Sequence, residues 1–248
     1  IISSIGAFTL AYMMANKIVH QNWYLAAVYF FLHFQYNGWF FFACAGLWFS
    51  KIKRMQINIA NEKTIFWLFA IAVVPCYLLS TLWMKFGLVI YWLVVIAALL
   101  QVLALMLILK SIYINRKLIK SNLLKISTNL LSLSLLAFVI KILLQLLSTI
   151  PDLNQLSYGF RPIVIGYLHL VLLGFISLFI IAFCFANYYL KINHSVKNGA
   201  IVFTSGIIIN EFLLMLQGSA ALNSMSIPYN NELLLGAALI LFSGAFMM

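Results

Sequence analysis

This sequence predicts an all-α, polytopic transmembrane helical bundle of about eight spans. Three observations lead there. Hydrophobic residues make up 65% of the 248-residue chain and charged residues only 8%, against roughly 25% charged in soluble domains. The apolar residues fall in long runs, close to the ~20 that a helix needs to cross hydrocarbon. Basic-rich and basic-poor loops alternate between these runs, as topology signals do. A soluble fold of this composition would expose a large apolar surface to water. In a bilayer the same surface faces lipid.

The expected spans, in order, are 1–19, 24–49, 64–84, 87–109, 126–149, 162–190, 200–217 and 232–248. They lack the alternation of membrane barrel strands, so helices are the spanning elements. Loop 50–63 holds Lys51, Lys53, Arg54 and Lys63. Loop 110–125 holds Lys110, Arg116, Lys117, Lys120 and Lys125, and loop 191–199 holds Lys191 and Lys197. The loops between are poorer, with Lys85 and Arg161 in two of them and no Lys or Arg at 20–23 or 218–231. The basic loops are expected on the cytoplasmic side, which puts both ends of this piece there too. A bacterial inner membrane is the expected location. Trp23 and Trp83 fall near span ends, where indoles anchor at the interface. Pro75 is expected to kink the third span.

The formal net charge of +11 does not point to nucleic acid. Its lysines and arginines sit in short loops beside anionic headgroups rather than on one folded face. The lipid bilayer is the partner that composition implies. Cys44, Cys76 and Cys184 lie inside apolar runs without a CxxC pair and read as small buried or lipid-facing side chains. The start at Ile1 and the apolar end at Met248 suggest a piece of a longer protein, within which 1–248 forms a single transmembrane domain.

One internal echo stands out. Phe31-Leu32-His33-Phe34 is followed by Gly38-Trp39, and Tyr167-Leu168-His169-Leu170 by Gly174-Phe175. Each reads aromatic-Leu-His-apolar, three residues, Gly-aromatic. The copies lie in spans two and six, which suggests a four-helix parallel repeat with units 1–109 and 126–248.

Ionisable residues inside spans are costly and usually face protein or water. His33, Lys141, His169 and Glu211 each fall roughly 9–15 Å from the outer end of their span at 1.5 Å per residue, which gives one polar layer. Neutral imidazole is a common metal ligand, and two can hold haem iron from opposite faces. His33 and His169 are therefore candidate haem ligands, with Gly38 and Gly174 allowing close approach of a flat ring. The plainer role for each histidine is a hydrogen bond across a helix interface. Asn37, one turn after His33, either orients that imidazole or serves as interhelical polar glue. Lys141 and Glu211 are expected to pair, or to serve a proton path or a cofactor propionate. His20, at the outer end of span one, is a further metal candidate or simply solvated.

The run His33-Phe34-Gln35-Tyr36-Asn37-Gly38-Trp39, continuing to Gly46-Leu47, carries glycine five and thirteen residues after histidine. It resembles the first histidine helix of the NnrS-type haem- and copper-containing membrane proteins. His169-Leu170-Val171-Leu172-Leu173-Gly174 is similar to a second histidine helix of that group. More broadly the pair resembles subunit I of the haem–copper oxidases, whose ligating histidines stand on the second, sixth and tenth helices. The resemblance implies a b-type haem with His33 as one ligand and His169, or a histidine outside this piece, as the other, and redox or nitric oxide/oxygen-related work with a small gas or an electron donor as partner. It covers two short motifs. Leu173 stands where an oxidase usually has tyrosine, and span seven has no histidine pair, so no complete copper site is implied.

Other classes remain open. A transporter or channel would use Lys141 and Glu211, and a structural subunit would use the polar layer for packing alone. P-loop, HExxH, GxSxG and dinucleotide-binding patterns are absent. Asp152 is the sole aspartate, which disfavours carboxylate-rich metal sites.

Overall fold

A computed structural model describes residues 1–84, 86–154, 161–223, 225 and 227–248. Lys85, counted above among the loop charges, lies outside the described residues. So do positions 155–160 of the loop before Arg161 and positions 224 and 226 of the loop before Asn230. The chain is all-helical, with no strand among the described residues.

Six helices are long and apolar enough to cross a membrane: Glu62–Met84, Leu88–Ser121, Lys125–Leu147, Arg161–Ala186, His194–Leu222 and Asn230–Met247. Their exposed faces carry large apolar side chains, such as Trp67, Ile96, Leu143, Ile208 and Phe242. In lipid that exposure costs nothing, because packing there rests on close contact and polar pairing rather than on escape from water. By length and composition the chain is an integral membrane protein.

The expected eight spans thus become six that meet both criteria. Ile2–Ala15 is a shorter apolar helix of 14 residues. It ends where Lys17 turns to φ 52°, four residues before Gln21 opens the next helix. The run 21–54 is continuous helix, but His33, Gln35, Tyr36 and Asn37 dilute its apolar middle. The fourth helix differs from its expected end. It continues to Ser121 for 34 residues in all, so Lys110, Arg116, Lys117 and Lys120 ride on helix rather than loop. Lysine and arginine are good helix formers. The helix stops where the Ser121 hydroxyl and the Asn122 amide both donate to Leu118 O.

Two compact units emerge: Ile1–Asn115 with Ile142–Asn154, and Arg116–Lys141 with Gln155–Met248. In the first, Ile2–Ala15 packs on Gln21–His33. A Cβ on Gly6 would stand 2.6 Å from Ala27 O, so only glycine permits that approach. In the second, Leu130, Leu178, Ala182, Phe185, Val196 and Ala200 share one core cluster. That cluster puts the starts of the 125 and 194 helices and the end of the 161–186 helix together, so two of the basic loops share one end of the unit.

Pro75 gives a change of winding. Glu62–Cys76 is α-helix and Tyr77–Met84 is 3-10 helix. The Tyr77 N–H turns to Val74 O and Pro75 O rather than to Val73 O, its α-helical acceptor.

Candidate functional site: two histidines at matched helix defects

Each of the two matched histidines is the last α-helical residue before a π-helix. Gln21–His33 gives way to the seven-residue π-helix Phe34–Phe40, and Arg161–His169 to the eight-residue π-helix Leu170–Ser177. Both close on a bond five residues back, Phe41 N–H to Tyr36 O and Leu178 N–H to Leu173 O. Histidine, π-helix onset and glycine therefore recur in the same register. π-helical turns make up well under 1% of residues and concentrate at functional sites.

The surroundings of the two rings differ. His33 is buried, 4% exposed, between the rings of Phe34 and Tyr77. Its Nε2 lies 2.7 Å from Val73 O. A carbonyl only accepts, so Nε2 carries the proton and Nδ1 holds the lone pair. Asn37 Nδ2 donates to that Nδ1 at 3.2 Å. Val73 O is the carbonyl that the switch to 3-10 winding leaves without its α-helical donor, so the imidazole completes the junction after Pro75. The nearby π-turn is braced by Ser3, whose hydroxyl donates to Gln35 Oε1 at 2.9 Å.

We expect His33→Ala to lower stability by about 1–3 kcal/mol, the usual cost of stranding a buried polar group. Thermal unfolding in detergent checks this, and an unchanged midpoint would contradict the role given to Val73.

His169 is half-buried. Its Nδ1 donates to Ile165 O, one turn back on its own helix, at 2.9 Å. That bond fixes the proton on Nδ1 and leaves the Nε2 lone pair available. The following π-turn is held from the neighbouring helix by Ser134, whose hydroxyl donates to Phe175 O at 2.8 Å. Phe138 also lies against the Phe175 ring, 4.9 Å between centroids.

The glycines differ in the same way. A Cβ on Gly38 would meet only Phe34, at 3.9 Å, whereas one on Gly174 would stand 3.2 Å from the Ala137 Cβ. Gly174 therefore admits a neighbouring helix rather than a flat ring.

Three of the expected polar-layer residues come to one level within the second unit. Gly218 packs against Ile163 and Gly166 against Leu214, which fixes the antiparallel register of those two helices. One further turn sets His169 opposite Asn210 and Glu211. Ser134 and Ala137 face Phe175 and Gly174, so Lys141, one turn on, lies level with the start of the π-turn. Lys141 is 4% exposed, with its ammonium 5.7 Å from the Phe138 ring centroid.

The expected Lys141–Glu211 pair does not form. The ion pair found among the described residues is Lys53–Glu62, at 3.0 Å and partly exposed. Glu211 Oε1 and Asn210 Nδ2 are both buried without a hydrogen-bond partner. His33, Asn37, Gly38 and His20 belong to the first unit. His20 is exposed and caps its helix, with the Trp23 N–H donating to its Nδ1 at 3.4 Å.

Among the described residues no group of three or more His, Cys, Asp or Glu could hold a metal ion. The three cysteines are free thiols.

No protein-family model matches the chain, and no curated protein or solved structure matches it either.

Proposed function

We propose that this chain is a haem-binding membrane protein of the haem–copper oxidase-like group, redox-active or responsive to nitric oxide or oxygen. His169 would hold the haem iron through Nε2. One observation carries the reading: the bond from His169 Nδ1 to Ile165 O, which settles the tautomer and points the lone pair away from its own helix. Ligating histidines are typically fixed in this way by a carbonyl on the other nitrogen. When bound, the haem would supply an iron that exchanges an electron and takes a small gas.

His169 could ligate such a group through Nε2 without giving up its hydrogen bond. His33 could not, because both of its ring nitrogens are engaged and Nε2 would have to leave Val73. It is therefore not assigned as a haem ligand, and no copper site is proposed.

The matched π-turns support reading the two histidine helices as copies of one ancestral unit. On the same reading 1–19 and 21–54 also cross the bilayer, and the basic loops face the cytoplasm.

Haem titration into the purified protein tests the proposal. A Soret band saturating at one haem per chain is expected. A well-folded preparation that gives no band would end it.

A second reading has its own observation. Glu211 keeps a buried, unpartnered carboxylate oxygen, and paired helix interruptions at corresponding positions mark many transporter sites. Coupled transport through Glu211 predicts that Glu211→Gln abolishes uptake of a transported solute into proteoliposomes. Unchanged uptake would count against it.

A further inference from the structure

The Asn230 side chain has no role in holding the fold. Both of its amide atoms, Nδ2 and Oδ1, are buried, and neither has a hydrogen-bond partner. Buried polar groups are nearly always satisfied, and an amide that misses on both atoms is costly. Asn230 instead borders a cavity of about 350 Å³. That falls within the size of small-ligand pockets, roughly 300–1,000 Å³.

The walls of the cavity come from three helices of the second unit. Arg161–Ala186 supplies Pro162, His194–Leu222 supplies Gln217 and Ala221, and Asn230–Met247 supplies Asn230, Asn231 and Glu232. The charge there is one-sided. Glu232 is the carboxylate of the wall, and no lysine, arginine or histidine lines it among the described residues, in a chain of net charge +11. Glu232 is exposed and has no ion-pair partner among the described residues. A carboxylate in the first turn suits the helix dipole. That accounts for Glu232 but not for the unmet amide of Asn230.

We infer that this cavity binds a short peptide by its free N-terminus. The Asn230 amide offers a donor and an acceptor side by side. In an extended chain the N–H and C=O of one residue point to the same side, so one peptide residue meets both atoms. The N-terminal ammonium lies one residue away, ~3.5 Å along the chain, and Glu232 is the anion that receives it. Pro162 and Ala221 leave apolar room for small side chains. A bare cation would use Oδ1 and the carboxylate but leave Nδ2 unmet. An inorganic anion would meet Nδ2 but face Glu232. A peptide N-terminus answers all three groups. The inference uses none of the residues given to haem and goes beyond that reading.

Calorimetry on the haem-free 248-residue chain in nanodiscs, with alanyl-alanine amide as the probe, tests it. One peptide per chain is expected. N-acetylation removes the ammonium and should weaken binding at least about tenfold, as loss of a charge-assisted hydrogen bond does. Glu232→Gln should weaken the free peptide by a similar factor and leave the acetylated one unchanged. Asn230→Leu should abolish binding while the thermal midpoint holds or rises, because an apolar group of similar size replaces an unmet polar one. No saturable binding below roughly 10 mM would overturn the inference and give the amide to water. Equal affinity for the acetylated peptide would overturn it too, and that comparison needs no variant to fold. So would unchanged binding in Asn230→Leu. Failure of haem binding would leave these results untouched.

Discussion

His169→Ala should abolish haem binding, and His33→Ala should leave it largely intact. The contrast follows from the ring nitrogens. His169 commits Nδ1 to Ile165 O and keeps Nε2 open. His33 commits Nε2 to Val73 O and Nδ1 to Asn37. Losing even an outer partner of a metal ligand typically costs 10–100-fold in affinity, so loss of the ligand itself should cost at least roughly that. The Soret absorbance of matched, haem-supplied preparations measures it. Haem retained in His169→Ala would remove that residue as the ligand. Equal loss in both variants would mean that His33 exchanges Val73 for iron and that its hydrogen bonds mark only the haem-free state.

The second large effect is structural. Gly244→Ala should destabilise the second unit by about 1–3 kcal/mol, the usual cost of overpacking. A Cβ at 244 would press on the backbone N of Phe203 and stand 2.7 Å from its Cα and 2.9 Å from Gly199 O. These are backbone atoms and cannot rotate away, so the helices must part. Gly199 and Gly206 make comparably close contacts with the Asn230–Met247 helix. Small residues of this kind are how membrane helices gain contact without a hydrophobic drive. Gly236→Ala is the internal control. Nothing lies within 4 Å of its added Cβ, so the change should be neutral or stabilising by up to ~1 kcal/mol from helix propensity. Thermal unfolding in detergent separates the two, and equal midpoints would contradict the packing described.

The membrane character and most span boundaries were legible in the sequence because apolar run length is a local property. The site was legible only in outline. Histidine, glycine and their recurrence could be read from residues 33–38 and 169–174. The π-turns between them could not, since no residue type marks an i→i+5 winding as Pro75 marks its kink. The division of roles between the histidines was hidden for a similar reason. It depends on Val73 O, a backbone carbonyl forty residues from His33 that leaves no trace in side-chain identity. Gly174 read as room for a ring, yet the Ala137 methyl takes that room. Lys141 and Glu211 were expected at one depth. Their expected pairing assumed that equal depth means contact, and the two do not pair.

Nitrogen-15 NMR of histidine-labelled, haem-free protein reads the two tautomers on which the division of roles between His169 and His33 depends. The chain has four histidines, so single substitutions assign each signal. The two tautomers are distinct in such spectra. His169 is expected to carry its proton on Nδ1 with a bare Nε2, and His33 to carry its proton on Nε2. The same tautomer at both residues, or the reverse assignment, would contradict that division of roles.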